Sequence, residues 1–328
     1  MLIPEQLNKK YMAVYPEADR LSQVFLGMKQ TGEHDWPDWC YLPVAASYTI
    51  VSGETEKQGV PMANAACDIG NLAAILAWRP TKGVYRFDED LLKSLWDVEL
   101  DKDIPVDVLF NLPEWCCYID LETFPPAMEM GLSGFFVYLE SDANTGGREV
   151  RLTFAGDHDG DPGIMTLPFH IDQETRICDM LQSSVDFSSP HLPDEFKALK
   201  NKQVPHKEAV GVYGRYFSLI LYLCSSDRDI IQTSKPRKVK QTKNPKKQKR
   251  KLPVEYRVGS AIGGAIRRAR GSHQGNGTGS SKAPHIRRAH YHTYWTGEGR
   301  ENPVVKFIAP VPVNIGDEPV VPIVRRVK

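Results

Sequence analysis

The chain has 328 residues, 41% of them hydrophobic, with six Trp, thirteen Tyr and twelve Phe, and a formal net charge of zero. That is stock for one large folded domain or two ordinary ones, and it excludes a disordered chain. The zero hides a segregation: residues 1–200 hold 15 Lys+Arg against 33 Asp+Glu, and residues 201–328 hold 26 against 8. An imbalance of this size points to a polyanion, above all RNA, as a partner of the last third.

In chain order, Leu7, Tyr11, Val14, Leu21, Val24, Phe25 and Met28 recur at helical spacing, with a break at Pro16. Trp36, Pro37, Trp39 and Pro43 mark an aromatic loop over 31–43. Residues 60–79 read as an Ala-rich helix with Ile69, Leu72, Ile75 and Leu76 toward a core. The period then changes to two, and Gly83 to Phe87 reads as a short strand. Asp88 caps a helix over Glu89 to Trp96, with acids in its first turn as the helix dipole prefers. A turn at Pro113 precedes a strand ending at Asp120. Gly134 to Leu139 and Glu149 to Phe154 are two strands around a hairpin loop at 141–147, and Met165 to His170 is a third.

Short helices are expected over Ile171 to Met180 and Glu195 to Leu199, and a buried one over Ala209 to Cys224. Its apolar run, Tyr216 to Cys224, falls short of the about 20 residues that cross a bilayer. Residues 233–251 are dense in Lys and Arg without an acid, the pattern of a solvated flexible linker. Glu255 to Arg270 reads as a helix with a basic end, weakened by Gly263 and Gly264. A glycine-rich segment over 271–281 and alternating strands from His285 onward follow.

Strands that succeed one another through turns, without regular β–α–β alternation, predict an α+β fold. A mixed N-terminal body with antiparallel strands and helices (1–232) should be joined by the lysine-rich linker (233–251) to a basic C-terminal helix-and-strand region (252–328). The six cysteines form no C-x-x-C pair, and reduced, mostly buried thiols suit the cytoplasm. No leader with a long apolar core is visible, so no membrane partner is expected, and without a phosphate-binding Gly loop no small-molecule cofactor is expected either.

The densest chemistry lies in PHIRRAHYHTYWTG, Pro284 to Gly297. In an extended chain Ile286, Arg288, His290, His292 and Tyr294 share one face, and His285, Arg287, Tyr291 and Trp295 the other. The preferred reading is nucleic-acid binding: Arg grips phosphate, while Tyr, His and Trp offer stacking surfaces. Its candidate residues are His285, Arg287, Arg288, His290, His292, Tyr294 and Trp295, joined by Arg267 and Arg268 of the preceding helix. A second reading is metal-independent ribonuclease chemistry, with His290 and His292 as general base and acid and Arg288 on the charged phosphorane. A metal site lacks a third ligand, and no metal is expected. A plain aromatic strand packed on a helix is the remaining alternative. Asp157 to Asp161 begins like a calcium loop, but position twelve would be Pro168, so a polar turn is expected there.

The run at 284–297, with Val305 to Gly316 after it, resembles the C-terminus of a type V-A anti-CRISPR family that blocks production of the type V-A CRISPR effector nuclease. Ala77 to Tyr85, Phe110 to Asp120 (FNLPEWCCYID), Leu221 to Ile230 (LYLCSSDRDI) and the basic stretch from Tyr256 to Arg268 agree in order. Residues 1–60 fall outside the resemblance. It implies recognition of the N-terminal segment of a nascent CRISPR effector, or a similar target, at the ribosome, followed by loss of the mRNA being translated. Nascent polypeptide, ribosome and mRNA would then be the partners, with a basic peptide suited to an acidic groove. The resemblance assigns no peptide-binding residue.

Overall fold

The computed structural model describes residues 1–100, 102–142, 146–158, 161–171, 176–188, 206–233, 252–271 and 285–313. The expected helix at Glu195 to Leu199 lies outside them, as do the linker beyond Thr233 and the glycine-rich segment beyond Gly271.

The fold is α+β. Helices α1 (Ile3–Val14), α2 (Ala18–Thr31), α3 (Val44–Gln58) and α4 (Ala66–Trp78) come first, followed by β1 (Gly83–Phe87) and α5 (Glu89–Trp96). Then come β2 (Cys116–Asp120), the short α6 (Pro125–Met128), β3 (Gly134–Ser141), β4 (Arg148–His158) and β5 (Asp161–His170). Helices α7 (Ile177–Ser188) and α8 (His206–Cys224), strands β6 (Ile230–Gln232) and β7 (Val254–Val258), and helix α9 (Ser260–Gly271) follow. Four strands close the described chain: β8 (His285–Arg287), β9 (His290–Thr296), β10 (Asn302–Ile308) and β11 (Val311–Val313).

Seven strands form one sheet in the order β5-β4-β3-β2-β1-β7-β6. Neighbours from β2 to β5 are antiparallel, whereas β1 and β2 run parallel, as a connection through a helix allows. The chain divides into two compact units, each assembled from separate segments: 1–86, 112–173 and 232–256 in the first, and 87–111, 174–231 and 257–328 in the second.

In the first unit, α4 is buried from Asn71 to Trp78. Its Ala-rich sequence fits such a position, because small side chains let neighbours approach from every side. Leu72, Ile75 and Leu76 supply the larger volume, each worth roughly 1.5–3 kcal/mol when removed from water. Helix α3 is not foreseen by its periodicity. Its buried stripe of Ala46, Ser47, Ile50, Val51 and Thr55 mixes small and hydroxyl side chains, so the apolar signal is faint. Cys116 and Cys117 point to opposite faces of β2, and both are fully buried. Cys40, Cys178 and Cys224 are buried free thiols as well, while Cys67 is exposed. Of the Asp157 to Asp161 motif, Asp157 and His158 end β4 and Asp161 opens β5, with His158 paired to Asp161, and the two residues between lie outside the described ones.

The second unit is built on α8, where Phe217, Leu219, Ile220, Leu221, Tyr222 and Leu223 are fully buried. The Trp96 ring of α5 meets Tyr216 edge-on at 5.3 Å. The helix expected over Glu255–Arg270 is corrected at its start. Residues up to Val258 are strand, because Val254, Tyr256 and Val258 alternate and the Val254 N–H donates to the Lys82 carbonyl at 3.0 Å. Gly259, at φ +75°, makes the turn into α9, and its missing side chain leaves room for Leu91. Similarly, α7 begins at Ile177 rather than Ile171. Among the described residues no helix is long and apolar enough to cross a membrane.

Candidate functional site

The run at 284–297 does not form one strand. His285, Ile286 and Arg287 lie on β8, which pairs antiparallel with β11. Arg288 and Ala289 leave the ladder, and β9 then pairs with β10, His290 opposite Ile308 and Thr296 opposite Asn302. The chain thus parts His285 and Arg287 from the histidines, and Arg288 stands exposed between the strands.

Within β9 the alternation holds. Tyr291 and Phe307, directly opposite each other, are buried at 1% and 5% exposure. The Tyr291 hydroxyl donates to the Ser218 carbonyl of α8, and the Phe307 ring meets Tyr222 of the same helix at 5.7 Å. Burial pushes the Tyr291 phenol well above its ordinary pKa, so this side chain stays a neutral donor. One face of β9 is therefore an aromatic strand packed on a helix.

The opposite face carries His290, His292 and Tyr294. His290 is half-buried, its Nδ1 lying 3.3 Å from the Arg288 carbonyl, whereas His292 is exposed. The His292 and Tyr294 rings meet edge-on at 4.5 Å. The Lys306 ammonium sits 5.3 Å from the centre of the Tyr294 ring, within cation–π range. Lys306 stands opposite His292 in the ladder. It is missing from the sequence candidates, and only the strand register brings it in. Alternation along VKFI was the available signal, but nothing local says which strand β10 pairs with.

The two arginines of α9 differ. Arg268 is exposed. The Arg267 guanidinium is engaged by carboxylates, donating to both oxygens of Asp88 at 3.0 Å and to Asp90 at 2.8 Å. Asp88 in turn accepts the Asp90 N–H at 3.1 Å as the N-cap of α5. Among the described residues no group of three His, Cys, Asp or Glu side chains is arranged to hold a metal ion.

Of the other stretches that carried the resemblance, Leu221 to Ile230 lies within the second unit and braces it. Arg228 donates to the Asn111 carbonyl at 3.1 Å and the Leu223 carbonyl at 2.7 Å. The Asp229 carboxylate accepts the Ala261 N–H at 2.7 Å and so caps the N-terminus of α9.

Fold and site define an α+β protein of two compact units whose basic C-terminal segment presents a cationic, aromatic β-ribbon. Residues 85–315 match the AcrVA2-like family, the anti-CRISPR type V subtype A2 family, and the chain belongs to it. The chain is 26% identical over 282 residues to Protein FinQ of Escherichia coli, a match spanning 80% of this chain and 82% of that protein. The crystal structure of AcrVA2 is similar in fold, with a TM-score of 0.60 and 20% identity, over 96% of this chain and 100% of that one.

Proposed function

We propose that this protein is an anti-CRISPR inhibitor that recognises the N-terminal segment of a nascent target protein and causes loss of its mRNA during translation. In this reading the acidic residues 1–232 receive the peptide. The basic residues 252–328 contact mRNA and the ribosome, and the lysine-rich residues 233–251 join the two. The protein works in the cytoplasm as a recruiter, without a cofactor.

The observation that carries the RNA contact is the outward face of the β9–β10 ribbon, where His292, Tyr294 and Lys306 gather opposite the face that packs on α8. Aromatic rings beside a cation suit bases and phosphate. Family membership supports the CRISPR-related target. The deficit of acids after residue 200 supports a polyanionic partner.

The test is a transcript measurement. Expressed beside a tagged CRISPR effector, the protein should lower that effector's mRNA. Recoding the effector's first codons into a different peptide should restore it. Transcript loss that survives recoding would refute nascent-chain recognition. Purified protein should leave RNA intact, and cleavage that disappears in His290→Ala or His292→Ala would instead establish a ribonuclease.

A further inference from the structure

We infer that the far end of the β9–β10 ribbon is a two-sided stacking site for unpaired RNA bases, one against the Tyr294 ring and another against the Trp295 indole. This rests on the RNA-contact reading above and names the form of RNA it takes.

Successive strand residues point to opposite faces. Tyr291 and Phe307 define the face that packs on α8, and Val305, opposite Thr293, is still buried at 3%. Trp295 lies on that same face, yet it is 50% exposed. The packed region therefore ends between Thr293 and Trp295. Tyr294, on the other face, is 42% exposed. From this point the ribbon offers a large open ring on each side.

Single exposed rings are ordinary on protein surfaces. Here two adjacent rings emerge on opposite faces, and a cation accompanies one of them. Lys306 stands beside Tyr294, where a stacked nucleotide would bring its phosphate, and His292 buttresses the same ring. In the turn beyond, Glu298, Arg300 and Glu301 are exposed, so phosphate attraction falls to the Lys306 side of the ribbon.

Ring faces recognise base faces, and a duplex hides those within its stack. An A-form helix also has a major groove too deep and narrow for side chains to read. Unpaired RNA gives both rings a partner, whereas paired RNA gives them none.

Full-length protein should be titrated by fluorescence anisotropy with a short oligouridylate and with a fully paired RNA duplex, across a salt series. Tyr294→Leu and Trp295→Leu should each weaken oligouridylate binding about tenfold and leave duplex binding and the salt slope unchanged. Tyr294→Phe and Trp295→Phe should bind like the parent, and Lys306→Gln should reduce the salt slope by about one. An unaltered urea midpoint checks that each variant folds. Equal weakening of both RNAs, or of neither, overturns stacking and leaves the RNA contact standing. A parent protein that binds neither RNA at low salt overturns the RNA contact itself. Should a polyglutamate peptide bind as tightly as oligouridylate and lose affinity in the same variants, the site belongs to an acidic peptide and the inference fails.

Discussion

Glu140 brings a carboxyl into the interior of the first unit with no exposed surface. One oxygen accepts the Val44 N–H at 2.7 Å and the Ser141 N–H at 3.1 Å, which ties the start of α3 to the end of β3. The other oxygen is buried and has no hydrogen-bond partner among the described residues. Burial is the largest influence and lifts the pKa from 4.5 to about 8, against the opposing pull of Arg151 and the backbone N–H groups, while Glu149 nearby adds to the rise. A carboxyl with a higher pKa in the folded than in the unfolded chain binds its proton more tightly when folded. Its stabilising contribution is complete below pH 4.5 and is lost as the pH rises through 8. Urea unfolding midpoints should therefore decrease as the pH is raised from about 5 to 8.5. Glu140→Gln, whose amide oxygen can still accept from Val44, should flatten that dependence and be more stable than the parent at pH 8 by roughly 1–3 kcal/mol. A variant with an unchanged pH profile would show that Glu140 does not carry it.

Among the elements, the seat of α9 against α5 depends on a missing side chain. A Cβ at Gly263 would collide with the Asp88 carboxylate, which already caps α5 and holds Arg267. Two effects oppose each other in Gly263→Ala. Helix propensity favours Ala by roughly 1 kcal/mol. Displacing Asp88 costs about 1 kcal/mol for the lost cap and roughly 1–3 kcal/mol for overpacking. The second should win, and thermal unfolding should show a lowered midpoint; a raised one would mean that Asp88 moves aside freely. The same position shows what sequence reading can and cannot resolve. A glycine pair inside a helical pattern reads as a weakness, but its purpose depends on a residue 175 positions earlier in the chain. Helix α5, by contrast, was legible with its cap, since Asp88 and Asp90 are two residues apart. Strand β7 was misread as helix because its place beside Lys82 comes from distant chain, whereas its own composition is ambiguous.

For the molecule as a whole, opposite charge in the two parts of the sequence argues for electrostatic engagement of RNA. Co-sedimentation with ribosomes should be strong at low salt and disappear at high salt, because neutralising phosphates releases counterions. Absence from ribosome fractions at low salt would count heavily against the proposed function.

Some properties follow from the order of residues alone. Charge segregation is a count, the caps and alternating strands are short-range patterns, and the family resemblance rested on quoted runs such as FNLPEWCCYID. The α+β class followed from the same local signals. Tertiary structure decided the rest. It broke the 284–297 run into two strands of different ribbons, engaged Arg267 with Asp88 and Asp90, and brought Lys306 beside Tyr294. It also divided β9 into a face that packs on α8 and a face that stays open. The physical reason is common to all four. Alternation says which side chains share a face, but burial and pairing depend on the surface that another part of the chain supplies.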